Sequence, residues 1–249
     1  MVCTLNTKPV LAAVSCAMPA GALAELKHLC AEVVLLPPDP LLSAPAASHA
    51  DMLLFSIGDT LVVHRSYYSL ASCEIDTILC CTGFHLVLTD CPRGSGYPLD
   101  VALNALLCGR YLFGRLDVLA PEIPPLAKEN GITPVHIRQG YAGCSGLTAG
   151  NVILTADPSL TKAALTCGIN VIPVPDKNIL LPGYDHGFFG GCGGVCGDEI
   201  LLCGTPNPAE YAAPIHSLAL LGKSILPLSD APLLDCGGIK FFPLKNHTL

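Results

Sequence analysis

Residues 151–174 and 198–227 repeat one order of features, and that repetition constrains the fold more than anything else in the chain. Asn151 opens the apolar run Val152-Ile153-Leu154-Thr155, and Asp198-Glu199 opens Ile200-Leu201-Leu202-Cys203. Asp157-Pro158 or Asn207-Pro208 comes next, then a helix-like segment, a glycine, and a second apolar run that reaches Pro173 or Pro227; a glycine pair follows later. One such unit cannot bury its own apolar face. A repeat at about 45 residues therefore predicts several packed units with internal pseudo-symmetry.

Three earlier units fit the same scheme. The first has the run Val10 to Val14, a helix over Gly21 to Cys30, and a strand over Val33 to Leu36 closed by Pro37-Pro38. The second has a strand over Asp51 to Ser56, a turn at Gly58-Asp59, a strand over Thr60 to His64, a helix over Ser72 to Cys80 and a strand over His85 to Leu88. The third has a helix from about Pro98 to Leu107, then Tyr111-Leu112-Phe113, and a strand over Thr133 to Ile137. With 51% hydrophobic residues and a mean hydropathy of +0.54, most strands should be covered on both faces, which favours α/β over an exposed antiparallel sheet. Residues 1–249 are expected to form a single α/β domain. A doubly wound sheet would bring a phosphate loop and fewer hairpin-like pairs.

Composition narrows the partners. Only 13% of residues are charged, the net charge is -7, and Trp is absent, so neither a phosphate-binding surface nor a base-stacking platform can be built. Nucleic acid is not an expected partner. Apolar runs are broken by Asp, Pro or Gly well short of the roughly 18 residues that a membrane span needs, so no membrane partner is expected. Pro9 to Ala22 looks somewhat like an export signal, but Pro19 and Gly21 interrupt it and it runs into the amphipathic segment Leu23 to Cys30. A cytoplasmic location is expected. The fourteen cysteines, many inside apolar runs, read as reduced core fillers. The unusually apolar composition points to surface buried in a homo-oligomer.

No Gly-x-Gly-x-x-Gly follows an early strand, and neither a P-loop nor a Gly-x-Ser-x-Gly elbow occurs, so no cofactor is expected. Chemistry is concentrated in two loops. Arg138-Gln139-Gly140-Tyr141-Ala142-Gly143-Cys144-Ser145 places a guanidinium, an amide, a phenol and a thiol after a strand, and Cys144 is the candidate nucleophile or a packed thiol. The glycine-rich stretch from Pro182 to Gly197 carries His186, which can move protons near neutral pH, and Asp185 beside it. Cys192 and Cys196, even with Cys144 and His186, lack the spacing of a zinc set, so no metal is assigned. Asp51 and Asp90 each adjoin an apolar strand; either marks a strand end or recognises a cation.

The pieces His49-Ala50-Asp51-Met52, Gly96-Tyr97-Pro98 with Asn104, Gln139 through Ser145, Leu181 through Gly191, and Cys203-Gly204 together resemble a bacterial domain family of unknown function, seen mainly in Firmicutes and assigned to the pentein superfamily. That resemblance implies a pentein-like five-bladed α/β propeller with pseudo-fivefold repeats. It also implies a distant similarity to arginine and agmatine deiminases and to dimethylarginine dimethylaminohydrolase, which attack a guanidinium carbon with a Cys assisted by a His and carboxylates. In those enzymes the Cys follows a glycine pair near the C-terminus. Here the similar stretch is Asp235-Cys236-Gly237-Gly238-Ile239-Lys240-Phe241, with Lys240 and Phe241 where that Cys is expected. The expectation is a cysteine-dependent hydrolase of a small guanidine- or amidine-like substrate. Cys144 attacks, His186 exchanges the proton, and Asp51, Asp90, Asn104, Gln139 and Asn151 bind a small cationic or polar metabolite. Two rival readings are a non-catalytic domain that binds a small molecule or a protein, and a relic of an enzyme with a filled central funnel.

Overall fold

The computed structural model describes residues 10–245. Its strands form five three-stranded sheets of one design: a central strand pairs antiparallel with one neighbour and parallel with the other. Helix lies between each parallel pair. The first sheet joins β1 (Val10–Ser15), β2 (Glu32–Leu36) and β15 (Lys240–Pro243), with α1 (Ala20–Leu29) between β1 and β2. The second holds β3 (Phe55–Ile57), β4 (Thr60–His64) and β5 (His85–Thr89), with α3 (Arg65–Leu70) and α4 (Ser72–Thr82). The third holds β6 (Leu106–Cys108), β7 (Tyr111–Gly114) and β8 (Thr133–His136), with α5 (Ile123–Glu129). β9 (Gly146–Thr148), β10 (Val152–Thr155) and β11 (Asn170–Pro173) form the fourth around α7 (Pro158–Thr166). β12 (Gly193–Cys196), β13 (Glu199–Leu202) and β14 (Ser224–Pro227) form the fifth around α8 (Pro208–Leu220).

The repeated sequence features have direct structural meanings. Asp157 and Asn207 are helix N-caps whose side chains accept from Leu160 N and Ala209 N, and the proline after each starts its helix without needing a backbone donor. The strands β1, β4, β10 and β13 are buried along their whole length, which is why each reads as an unbroken apolar run rather than an alternating one.

The core is divided among the sheets in sequence order. Leu36 and Leu11 pack with Leu61 and Ile75, linking the first sheet to the second; Phe55 and Val62 pack with Leu112 and Ile123, linking the second to the third. Phe113 with Ile153, and Leu154 with Ile200, continue the series. Leu201 and Cys203 then pack with Ala12 and Leu26, which links the fifth sheet back to the first. No described helix is long and apolar enough to cross a membrane.

Three segments depart from the sequence reading. The helix expected from about Pro98 to Leu107 is instead a pair of turns, with Val101 N bonded to Pro98 O and Asn104 N to Val101 O, followed by β6. Pro98 cannot donate in a helical ladder, and the Asn104 side chain is committed to neighbouring segments. Asp51 to Leu53 belong to the short helix α2 (Ala50–Leu53) and not to a strand, because Leu53 N and Leu54 N bond back to His49 O and Ala50 O. The strand β12 lies in the glycine-rich loop. A side chain at Gly193 would meet Leu201 O, and only glycine lets the two backbones approach so closely.

Candidate functional site

Cys144 lies in α6 (Ala142–Ser145), and its surroundings come from three distant segments. Asn104, fully buried, donates from Nδ2 to Cys144 Sγ at 2.9 Å and to Asp51 O at 3.0 Å. Its Oδ1 accepts from Gly143 N at 2.7 Å and from Cys144 N at 3.3 Å. One amide thus ties α2 to α6 and places a donor on the thiol. Met52 Sδ lies 3.8 Å from the same sulfur. We expect Asn104→Ala to cost about 2–4 kcal/mol, because it leaves several buried groups unpaired; a urea titration with the midpoint unchanged would contradict this.

Two carboxylates share the Cys144 environment. Asp235 is buried; its Oδ2 accepts from Phe188 N at 2.9 Å, its Oδ1 from Gly237 N at 3.1 Å, and His49 Nδ1 lies 3.8 Å away. Burial and the neighbouring Asp51 charge push its pKa up to about 6, against the pull of His49 and the two N–H donors. Asp51 is also buried, and neither of its oxygens has a partner at hydrogen-bonding geometry. Burial raises its pKa, offset in part by His49, by Lys240 and by a contact with the Cys144 thiol that falls short of full hydrogen-bonding geometry. The Cys144 thiol is pushed well above its ordinary value, first by burial and then by the charges of Asp51 and Asp235. Near neutral pH it is therefore a thiol and not a thiolate.

A cavity of about 290 Å³ opens over this group, lined by His49, Met52, Cys144, Asp235, Tyr141 and His186 among others. Tyr141 donates to Asp100 Oδ2 at 2.7 Å and stacks on Phe188, which fixes one wall. Tyr184 OH and Ser43 Oγ, 2.9 Å apart, bridge across the rim. A side chain on Gly187 or Gly191 would collide with Asp235, so the glycine-rich loop is the surface that encloses this carboxylate.

The residues expected from sequence fall into two groups. Cys144 and His186 line one cavity, with His186 Nδ1 2.9 Å from Gly187 O; Asp51 and Asn104 lie in the wall behind Cys144. Gln139 acts one step away: it donates to Asp157 Oδ2 and accepts from Tyr141 N, which holds the loop before α6. Asp90 and Asn151 are not brought to the cavity. Asp90 is exposed on the outer surface and is engaged by Arg65 Nε at 3.0 and 3.1 Å; Asn151 is exposed in the β9–β10 turn. The buried carboxylate lining the cavity is Asp235, and Asp100 and Asp185 line it as well. Asp235 and His49 were missed as site residues although both lie in motifs quoted for the resemblance, His49 next to Asp51 and Asp235 before the Cys236-Gly237-Gly238 turn.

The sequence pattern of DUF6873, described as a family of unknown function, matches residues 13–240. The chain belongs to this family. No curated protein matches the DUF6873 chain. Among solved structures it is similar to a dimethylarginine dimethylaminohydrolase captured as an adduct with S-methyl-L-thiocitrulline, with TM-score 0.58 and 12% identity over 90% of this chain and 92% of that one. It is similar to the Pseudomonas aeruginosa dimethylarginine dimethylaminohydrolase complexed with citrulline, with TM-score 0.55 and 11% identity over 90% and 92%. A third is the inosamine-phosphate amidinotransferase of Streptomyces griseus, with TM-score 0.52 and 16% identity over 91% and 78%. At such identities the likeness of the DUF6873 chain to these structures is one of mixed α/β fold.

Proposed function

We propose that the cavity binds a small guanidinium- or amidinium-bearing molecule and that Cys144 attacks it only when the cation is in place. The observation that carries this reading is a pair of buried carboxylates, Asp51 and Asp235, beside a thiol with too little positive charge to balance them. A planar cation hydrogen-bonded to Asp235 offsets that negative field. The same cation weakens the negative field at Cys144 and lowers the cost of its thiolate, which Asn104 Nδ2 already solvates. The sulfur then adds to the amidino carbon, and collapse expels ammonia or an amine carrying the proton released by the thiol, with His49 or His186 as carrier. Water adds to the resulting thiouronium carbon and the thiolate leaves with the product released. The five like sheets, joined cyclically through their cores, support an arrangement as blades of a five-bladed propeller around this site. The solved neighbours with ligands such as citrulline support the substrate class.

A binding-only role is the second reading. It is favoured by the neutral state of Cys144 and by the commitment of both nearby backbone amides, Gly143 N and Cys144 N, to Asn104. One experiment separates the two. Cys144 alkylation by 2-chloroacetamidine, an alkyl halide carrying an amidinium, is compared with alkylation by neutral chloroacetamide across pH, read by peptide mass. The catalytic reading expects the cationic reagent to label Cys144 at least about tenfold faster near pH 7, with the excess lost in Asp235→Asn. Equal slow rates for both reagents would leave binding alone, and absence of any guanidine-dependent protection would remove the cation site as well.

A further inference from the structure

A second cavity, of about 170 Å³, lies behind the first. Asp51 and Gly143 line it, while their chain neighbours Met52 and Cys144 line the larger one, so these two short segments form the partition between the two. Asp51 is 3% exposed; the Cys144 thiol acts on its carboxylate from the side of the larger cavity, but neither oxygen meets a donor at full hydrogen-bonding geometry. Lys240 lines the same cavity and acts on Asp51 electrostatically without forming a direct ion pair with it. An unpartnered carboxylate and a lysine facing one small space, apart from one another, make a site with two opposite ends.

The Asp51 end has a defined shape. Gly193 O, Gly190 O and Asp51 Oδ2 lie 3.4, 3.5 and 3.8 Å from the position that a Cβ on Gly238 would occupy, so all three border the cavity on the side of this glycine. Gly193 O already accepts from Ile239 N at 2.9 Å, but a carbonyl has two lone pairs. Three oxygens bordering one end of a cavity suit a primary ammonium, which carries three donors, better than a planar guanidinium. Backbone carbonyls are exposed there because the walls are glycine: a side chain at Gly190 would strike Gly143 O, Cys144 O and Gly146 O, and one at Gly194 would strike Ile239 O.

We propose that this cavity binds a small zwitterion of the α-amino acid class, with its ammonium among Asp51, Gly190 O and Gly193 O and its carboxylate facing Lys240. The site is separate from the one that takes a guanidinium in the reading above. It fits an amino acid with little or no side chain. A larger one would have to displace the glycine backbone.

The test is calorimetric titration of the full chain at constant ionic strength with glycine, with methylammonium as the cationic half alone and with acetate as the anionic half alone. Glycine is expected to bind at one site per chain, about tenfold or more tighter than either half. Lys240→Met should weaken glycine about tenfold and leave methylammonium unchanged, while Lys240→Arg retains glycine binding. Retained chloroacetamidine labelling of Cys144 in Lys240→Met reports that the variant is folded and that the larger pocket is intact, so failure here is separable from failure there. Glycine no better than methylammonium, no glycine binding at all, or glycine affinity untouched by Lys240→Met would each overturn the proposal.

Discussion

Asp51→Asn is expected to make the protein more stable at pH 7, by about 2 kcal/mol, and to weaken its affinity for small guanidinium compounds at least tenfold. The amide replaces a buried charge that has no hydrogen-bond partner, so the folded state is relieved of a desolvation cost while the unfolded chain is little changed. The pH dependence has a definite sign. Both carboxyls titrate higher in the folded protein than the ordinary 3.8, Asp235 at about 6, so the folded state holds protons that the unfolded chain has already released. For Asp235 the stabilising effect is full below about pH 4 and is lost as pH rises through 6; for Asp51 it is likewise lost as pH rises through its raised pKa. For Asp235 the shift of about two units corresponds to roughly 3 kcal/mol. Removing the Asp51 charge also removes one cause of the Asp235 shift, so the variant should show a flatter dependence between about pH 4 and 6 in urea titrations, the span over which Asp235 titrates. A variant less stable than the parent, with the slope unchanged, would show that Asp51 is paired in solution.

Gly237→Ala should be the more damaging change, costing more than about 4 kcal/mol and abolishing the site. Gly237 has φ +82°, where an L-residue is strained, and a Cβ there would lie 2.3 Å from Cα, Cβ and Cγ of His49. The turn cannot move away easily, because Gly237 N donates to Asp235 and Gly237 O accepts from Asp51 N. Gly197→Ala is the matched control: φ is +63° but nothing lies within 4 Å, so the cost should be only about 1–2 kcal/mol. Thermal unfolding of both variants checks the difference; equal midpoints would mean that the clash with His49 is relieved at little cost.

The architecture was largely legible because it is written in local, repeated signals. Asp157-Pro158 and Asn207-Pro208 are caps with a mechanism, and the central strands are long enough apolar runs to stand out. The partners of those strands were harder to see. β9, β12 and β15 are only three or four residues long, and two of them begin in glycine, which has no strand signature of its own; their pairing is set by the neighbouring sheet. The site was half legible for a related reason. Cys144 and Asp51 sit in motifs that draw the eye, but Asp90 reads the same way, and only three-dimensional placement shows that Arg65 holds it on the outside. Asp235 looks like a strand-end carboxylate until the Gly187 to Gly191 loop is seen wrapped around it.

The pairing of β1 with β15, Leu11 opposite Phe242 and Ala13 opposite Lys240, joins the first described strand to the last. On the ribosome β1 must therefore wait, with one edge open, until β15 has emerged. The turn at Asp235–Gly238 directly precedes β15, so the acidic group beside Cys144 is completed by the same late step. Chains made only as far as β14 would carry four complete sheets and would lack the Asp235–Gly238 turn that closes the cavity.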